Sequence, residues 1–173
     1  MELNISQIDE RDGLNLTHRY TEGEIGLVGN DGKLVGRTAV NLQATREGEE
    51  VLLRGSVQAN VQFECDRCLV EMTVPVTQSF DLLYLPASHR NAREEHELKA
   101  DDLSIAYYQG HLINLDDLVR EQIELTLPMT RICRENCQGL CTECGANLNE
   151  GKCNCGNQQI DPRWAALKGL KTN

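Results

Sequence analysis

The sequence predicts an α+β fold: an antiparallel, strongly curled or barrel-like β-sheet with a few short helices and a C-terminal cysteine-rich module. Three observations predict it. Apolar and polar residues alternate over long stretches between residues 40 and 83, as in half-buried strands. A later stretch, NLDDLVREQIEL, has helical periodicity. Six of the eight cysteines lie between Cys133 and Cys155. We expect an antiparallel β domain over residues 1–130 and a second domain over 131–173.

The first elements are short strands. Leu3 and Ile5 alternate with polar neighbours, so residues 2–8 are predicted to form a strand, and a second strand is predicted over residues 14–20. Residues 22–33 contain four glycines and are predicted to be turns. Their spacing lacks the phosphate-binding pattern of a nucleotide loop.

A long hairpin is the best-patterned element. Alternation from Val51 to Phe63 predicts one strand, and alternation over residues 70–82 predicts its partner. The turn between them is ECDRCL, residues 64–69. Pro75 lies on the outward-facing set of the second strand, which predicts a strand edge or a bulge there because proline cannot donate to a ladder.

The remaining elements are shorter. Residues 86–102 are polar and charged and are predicted to form a mobile loop. Two short strands are predicted over residues 102–108 and 111–113. A helix is predicted over residues 115–127, capped by Asn114 and stopped by Pro128. A C-terminal helix is predicted from Asp161, with Pro162 at its first position.

Charge and composition limit the function. The formal net charge is −10, so bulk attraction to nucleic acid is not expected, and the acidic faces suit a basic protein partner. Residues 131–173 instead carry a net positive charge, with six bases against four acids. The apolar runs are too short to cross a bilayer, and no secretory signal is visible. We therefore expect a cytoplasmic protein without a membrane partner, whose thiols stay reduced.

The eight cysteines form four close pairs, which predict metal ligands rather than disulfides. If the protein were secreted, disulfides would be the alternative interpretation. Two pairs separated by eight residues make one local site, Cys141, Cys144, Cys153 and Cys155. Cys133 and Cys137 then lack two ligands, and the only other cysteines are upstream. The predicted second site is Cys65, Cys68, Cys133 and Cys137. All eight are predicted to hold two structural Zn²⁺ ions.

Alternatives to this assignment stay open. Cys137 and Cys141 are also spaced as a ligand pair, so the two sites could interleave. An iron–sulfur cluster also accepts four thiolates, although paired CxxC knuckles favour zinc. The Cys65–Cys68 pair could instead be a redox pair, but such pairs normally sit at a helix N-terminus. No histidine follows a hydrolytic spacing, and four thiolates leave no open position for water, so no catalytic residue is predicted.

Four segments, in this order, resemble the YceD family: VQFECDRCLVEM, DLVREQIELTLP, CRENCQGLCTECGANLNEGKCNC and DPRWAALKGL. The similarity is densest between Ile123 and Leu170. The resemblance implies a role in the accumulation of 23S rRNA and hence in assembly of the large ribosomal subunit. It implies no catalytic residues.

The sequence therefore leaves two candidate functions. The first is a non-enzymatic ribosome biogenesis factor that binds a basic ribosomal or assembly protein through its acidic faces, and/or rRNA through its C-terminal module. The second is a thiol redox or RNA-processing enzyme that uses Cys65 and Cys68. A DNA-binding role is disfavoured by the acidic balance and the lack of a basic recognition helix. The candidate RNA-contacting residues are Arg131, Arg134, Lys152, Arg163, Lys168 and Lys171, unless these are scattered solvated charges.

Overall fold

The computed structural model describes residues 1–28, 32–89, 104–155 and 163. The chain divides into two compact units. The first comprises Met1–Glu64 and Glu71–Arg131, and the second comprises Cys65–Val70 and Ile132–Asn173. The domain boundary between residues 130 and 131 that the sequence predicts stays a prediction.

The first unit is built mainly from strands. Its described strands and helix, in chain order, are β1 (Glu2–Asn4), β2 (Leu14–Tyr20), β3 (Lys33–Glu47), β4 (Glu50–Glu64), β5 (Glu71–Pro86), β6 (Ile105–Tyr108), β7 (Leu112–Asn114) and α1 (Leu115–Glu124). Single 3₁₀ turns follow β1 at Ile5–Gln7 and β5 at Ala87–His89. The predicted first strand is thus cut short after three residues, because the Asn4 side chain accepts a hydrogen bond from the Ser6 amide at 2.9 Å and starts a turn.

Strands β3, β4 and β5 form a meander whose inner residues are those that the alternating pattern predicted. Val51, Leu53, Val57 and Val61 on β4 are all fully buried, while Arg54, Gln58 and Asn60 between them are exposed. Strand β3 begins earlier than the pattern indicated. A bulge between Val35 and Ala39 shifts its register, and Gly36 within it has a φ of 73°. The bulge interrupts the alternation of apolar and polar residues, and for this reason the first part of β3 was not predicted from the sequence.

The five-stranded sheet is open, with the strand order β2-β3-β4-β5-β6. The barrel-like or strongly curled sheet predicted from the sequence is therefore not supported. The sheet is also not antiparallel throughout: β6 pairs parallel with β5, from Leu83 opposite Ile105 to Pro86 opposite Tyr108. A parallel neighbour requires a crossover connection between the end of β5 and the start of β6. Strands β1 and β7 form a separate antiparallel pair.

Pro75 lies where β5 has a single described neighbour. On one side it is opposite Asn60 of β4, whereas β6 reaches only the last four residues of β5. Within the described strands, the other side of Pro75 is a sheet edge, where the missing N–H costs no ladder hydrogen bond. The prediction that Pro75 lies at a strand edge is therefore confirmed for this part of β5.

Helix α1 begins where the sequence predicted and ends three residues earlier. The Asn114 side-chain oxygen accepts hydrogen bonds from the amides of Asp116 and Asp117, at 3.0 and 3.4 Å. After Glu124 the chain continues in turns, with the Leu125 amide donating to the Glu121 carbonyl at 3.0 Å. The buried face of the helix is Leu115, Leu118, Val119, Gln122 and Ile123.

The core of the first unit lies between the inner face of the large sheet, α1 and the β1–β7 pair. It consists of two clusters of buried side chains. One gathers Leu3, Leu53, Ile113 and Leu118, and the other gathers Val57, Val61 and Ile123. Since α1 contributes to both, it links the two clusters.

Some predictions fall outside the described residues: the C-terminal helix beginning at Asp161, and most of the charged loop over residues 86–102. The first residues of that loop are described, and they belong to the end of β5 and to the Ala87–His89 turn. In the described ranges, the structure has no helix with the length and apolar character needed to cross a bilayer.

Candidate metal centres

The loop Cys65–Val70, which connects β4 to β5, places two sulfurs on one tight turn. The Cys65 amide donates to the Val70 carbonyl, and the Leu69 amide donates to the Cys65 carbonyl, both at 2.9 Å. Leu69 has a positive φ of 58°, which closes the turn. Cys65 and Cys68 therefore project from a loop held by its own main-chain hydrogen bonds.

A second turn brings two more sulfurs to this loop. The Cys137 amide donates to the Arg134 carbonyl at 3.0 Å, which bends the segment between Cys133 and Cys137. The Cys65 and Cys137 sulfurs are 3.9 Å apart, and the Cys68 and Cys133 sulfurs are 3.6 Å apart. We call Cys65, Cys68, Cys133 and Cys137 the hairpin cluster.

These distances fit a tetrahedral metal site. With a metal–sulfur bond of about 2.3 Å, the edge of a tetrahedron of sulfurs is about 3.8 Å. The four sulfurs of the hairpin cluster all lie within 4.8 Å of one another. A disulfide requires about 2.05 Å, and all eight cysteines are free thiols. Four soft donors at tetrahedral spacing can hold a metal ion.

A second group of four sulfurs forms further along the chain. The Cys141 amide donates to the Ala146 carbonyl at 2.8 Å, and the Gly145 amide donates to the Cys141 carbonyl at 2.9 Å, making the first knuckle. Gly145 has a φ of 71°, which suits glycine at this turn. Its four sulfurs also lie within 4.8 Å of one another. We call Cys141, Cys144, Cys153 and Cys155 the C-terminal cluster.

The two clusters differ in exposure. In the hairpin cluster Cys65, Cys68 and Cys137 are buried, and Cys65 has no accessible surface at all. In the C-terminal cluster two cysteines are half-buried, and Cys144 and Cys155 are exposed. The fourth member of the hairpin cluster, Cys133, is exposed. The hairpin cluster is therefore more deeply buried than the C-terminal cluster, but one of its sulfurs can still be reached from solvent.

The thiols of the hairpin cluster have pKa values that are shifted in opposite directions. Burial opposes ionisation of Cys65, but hydrogen bonds from the amides of Arg67, Cys133 and Cys68 lower its pKa to about 6. Burial and the neighbouring sulfurs raise the pKa of Cys133 to about 12. Close thiols cannot all carry charge together without a cation, since each thiolate disfavours the next. A divalent cation at the centre would offset that repulsion.

The pKa values of the thiols in the C-terminal cluster are also shifted in opposite directions. Amide hydrogen bonds from Cys144 and Glu143 lower the pKa of Cys141 to about 7. The hydrogen bond with Cys144, together with burial and nearby thiols, raises the pKa of Cys155 to about 12. Both clusters thus combine amides that favour thiolates with sulfurs so close that all four could ionise together only around a cation.

The structure groups the eight cysteines as the sequence predicted. Cys137 and Cys141 fall in different clusters, so the interleaved alternative is not observed. In the described part of the chain, these are the two groups of three or more His, Cys, Asp or Glu side chains whose ligand atoms are close enough to share a metal. Metal binding at either cluster stays a prediction.

Sequence reasoning missed two residues that support the clusters. The Arg67 guanidinium donates to the Cys137 carbonyl at 3.1 Å, and the Asn149 side-chain amide donates to the Cys137 sulfur at 3.4 Å. Neither residue belongs to a ligand motif, so the spacing of the cysteines does not reveal them. The one sequence signal for Asn149 is the wealth of Asn and Gly between Cys144 and Cys153, a composition that indicates a turning loop but not a contact with a sulfur.

The sequence of this chain is similar to those of known proteins. Residues 53–171 match a family described as large ribosomal RNA subunit accumulation protein YceD. The chain is 28% identical over 153 residues to a chloroplastic YCED homolog 1 of Arabidopsis thaliana, named as a large ribosomal RNA subunit accumulation protein. It is 30% identical over 145 residues to the YCED homolog 2 of that plant, and 32% identical over 130 residues to an uncharacterized protein of Mycobacterium tuberculosis.

These alignments span most of this chain and a smaller part of each relative. They cover 76%, 82% and 74% of this chain, in the order given, and 48%, 61% and 59% of the respective relatives. The chain thus spans about half the length of the curated relatives it matches. No solved structure is similar enough to count as a match.

Proposed function

This chain belongs to the YceD family, and on that premise we propose that it is a non-enzymatic ribosome biogenesis factor that supports accumulation of 23S rRNA and assembly of the large ribosomal subunit. The observation that carries the proposal is the family match across residues 53–171, which includes both cysteine clusters. The names of the plant relatives refer to accumulation of the large ribosomal RNA subunit.

We further propose that each cluster holds one structural Zn²⁺. Four thiolates complete a tetrahedral shell and leave no position for a substrate or water. The ion would then supply folding energy and fix the loops that carry its ligands, without taking part in a reaction. The grouping of all eight cysteines into two sets of four supports this proposal.

The alternative of a redox enzyme has less support. A reactive cysteine normally lies in a partly exposed site, where a partner thiol or substrate can reach it. Cys65 is completely buried and Cys68 is 5% exposed, and each has a sulfur of the 133–137 segment beside it. These positions suit metal ligands better than an exchanging dithiol.

A basic protein is the partner that we propose for the acidic surface. The β3–β4 turn carries Glu47, Glu49 and Glu50, all exposed, and Glu10 lies beside them. Arg46 pairs with Glu10 at 3.0 Å and offsets one of these charges. The remaining excess of carboxylates borders a groove of about 510 Å³ between this turn and Leu83. Exposed like charges favour a counter-charged partner and speed its approach.

Contact with rRNA through the C-terminal module is the second part of the proposal. Arg134 and Lys152 are exposed beside the clusters, and Arg163 is exposed as well. Arg131 is half-buried, with its guanidinium 5.9 Å from the centre of the Phe63 ring. Lys168 and Lys171 fall outside the described residues. Exposed Arg and Lys side chains suit phosphate contacts.

The family-level function is tested by complementation. The chain is expressed in a bacterium whose own YceD-family gene is deleted, and the ratio of 23S to 16S rRNA is measured together with the large-subunit peak in a sucrose gradient. We expect the wild-type chain to restore both quantities. Stable expression without any change in the 23S to 16S ratio would contradict the proposed function.

The acidic partner surface is tested in the same strain by co-purification. Glu47→Gln with Glu50→Gln removes two charges from the β3–β4 turn, and Glu64→Gln with Glu71→Gln removes two from exposed positions at the other end of the β4–β5 pair. We expect only the first pair to reduce recovery of large-subunit particles. Equal recovery with both pairs would exclude the β3–β4 turn as the docking surface.

A further inference from the structure

Asn149 belongs to the loop of one cluster but contacts a ligand of the other. It lies between Cys144 and Cys153, which are ligands of the C-terminal cluster. Its side-chain Nδ2 donates to the sulfur of Cys137 in the hairpin cluster at 3.4 Å. No other side chain in the described loop between Cys144 and Cys153 has a hydrogen bond to a sulfur of the hairpin cluster.

The Asn149 side chain is held in a single orientation. Its Oδ1 accepts hydrogen bonds from the Gln138 amide at 2.9 Å and from the Arg134 guanidinium at 2.8 Å. Its Nδ2 donates to the Asn147 side-chain oxygen at 2.8 Å in addition to the sulfur. A flipped amide would point its NH₂ group at two donors and its oxygen at the sulfur, so the observed orientation is the one that satisfies every partner.

Main-chain hydrogen bonds tie the same two segments together. The Leu148 amide donates to the Gly139 carbonyl at 2.9 Å, and the Leu140 amide donates to the Arg67 carbonyl at 3.1 Å. Gly139 has a φ of 73°, and a Cβ at this position would lie 3.0 Å from the Arg67 carbonyl oxygen. The short segment from Cys137 to Cys141 is therefore packed between the Cys65–Val70 loop and the loop that carries Asn149.

The loop that positions Asn149 has no core of its own. Every residue from Cys141 to Cys155 is half-buried or exposed. A segment without buried apolar side chains cannot offset the entropy of ordering by the hydrophobic effect. Its order must come from the ligands of the C-terminal cluster and from the hydrogen bonds just described.

We propose that Asn149 is a positioning residue that couples the two clusters. This inference rests on the proposed metal sites. Filling the C-terminal cluster orders the loop, which places the Asn149 amide against the Cys137 sulfur and so favours metal at the hairpin cluster. Groups that hydrogen-bond to a metal ligand typically change metal affinity by roughly 10–100-fold. Because coupling between two binding sites is reciprocal, metal at the hairpin cluster also strengthens binding at the C-terminal cluster.

The coupling is tested on the full chain with ¹¹³Cd²⁺, which gives a separate NMR resonance for each cluster. Cys65→Ser with Cys68→Ser, and Cys144→Ser with Cys153→Ser, identify the two resonances by removing one at a time. Competition with a chelator then gives the affinity of the hairpin cluster in four proteins: the wild type, Asn149→Ala, Cys144→Ser with Cys153→Ser, and all three substitutions combined.

We expect the three variants to share one hairpin-cluster affinity, roughly 10–100-fold below that of the wild type, and the resonance of that cluster to shift in Asn149→Ala. Asn136→Ala is the matched control, because Asn136 lies between Cys133 and Cys137 with an exposed side chain that has no part in the network. Asn149→Asp is a second probe: it keeps the acceptors for Gln138 and Arg134 but loses the N–H donor to sulfur, so it should lower the affinity at least as much.

Two results would overturn the coupling. The first is an Asn149→Ala protein with the hairpin-cluster affinity of Asn136→Ala. The second is a triple variant whose loss equals the product of the two separate losses, which would mean independent effects. If the wild type bound two ions per chain in either case, only the coupling would fail. If the wild type bound none, the proposed metal sites would fail with it.

Discussion

The sulfur of Cys68 lies 3.6 Å from the sulfur of Cys133, although 65 residues separate them in the chain. In the chain, one belongs to the loop between two long strands and the other follows the helix α1 segment. Because metal holds only the folded arrangement, binding at this cluster would close a long loop and contribute several kcal/mol or more to folding.

Substitution of one ligand should remove one metal ion. We expect Cys133→Ser to reduce zinc from two equivalents per chain to one, because a serine hydroxyl is a poor replacement for a thiolate at a four-sulfur site. Elemental analysis of the purified protein measures this. Asn136→Ala, an exposed neighbour in the same turn, should keep both equivalents. Iron in place of zinc, with visible absorption, would refute the choice of zinc.

Chelation should unfold one unit and spare the other. The first unit has two clusters of buried apolar side chains, whereas no residue from Cys141 to Cys155 is buried. With a strong chelator, amide hydrogen exchange should rise many-fold in the Cys65–Val70 loop and in residues 132–155, and should change little in β3 and β4. Loss of protection throughout β4 would show that the sheet also depends on metal.

The sequence predicted most of the meander and the grouping of the cysteines because both depend on simple regularities. Alternation marks a strand with one buried face, and close pairs of thiols mark metal knuckles. What it could not predict depends on tertiary contact. Strand β6 pairs parallel with β5, a choice that local pattern does not contain, and the bulge at Gly36 broke the alternation at the start of β3.

Asn149 illustrates the same limit at the metal clusters. Its contact with Cys137 depends on how the Gln138–Leu140 segment packs, which no spacing of cysteines reveals. A search for ligands finds atoms that bind the metal, whereas the groups that orient those ligands are recognised only once the loops are placed in space.

Gly55 should not tolerate a side chain. A Cβ there would lie 2.4 Å from the Asn41 carbonyl oxygen and 2.7 Å from the Phe80 ring, and the main-chain oxygen cannot move without disturbing the β3–β4 ladder. We expect Gly55→Ala to lower the free energy of unfolding by about 1–3 kcal/mol. Urea denaturation followed by circular dichroism measures the change.

Gly26→Ala is the control for that experiment. A Cβ at Gly26 would meet nothing within 4 Å, and its backbone does not have a positive φ. The same substitution should therefore be close to neutral, or slightly stabilising because alanine restricts the unfolded chain. Equal losses at Gly55 and Gly26 would show that the close approach of β3 and Phe80 to Gly55 does not limit the side chain there.

The cap of α1 should contribute measurably to the first unit. Asn114→Ala removes the oxygen that accepts from the Asp116 and Asp117 amides, and should lower the free energy of unfolding by about 1 kcal/mol. Asn114→Ser keeps an acceptor at the cap and should recover most of that loss, which separates capping from any other effect of the substitution. If serine and alanine lowered the midpoint of urea unfolding equally, the helix would not depend on this cap, and the buried face of α1 against β4 and β5 would alone account for its stability.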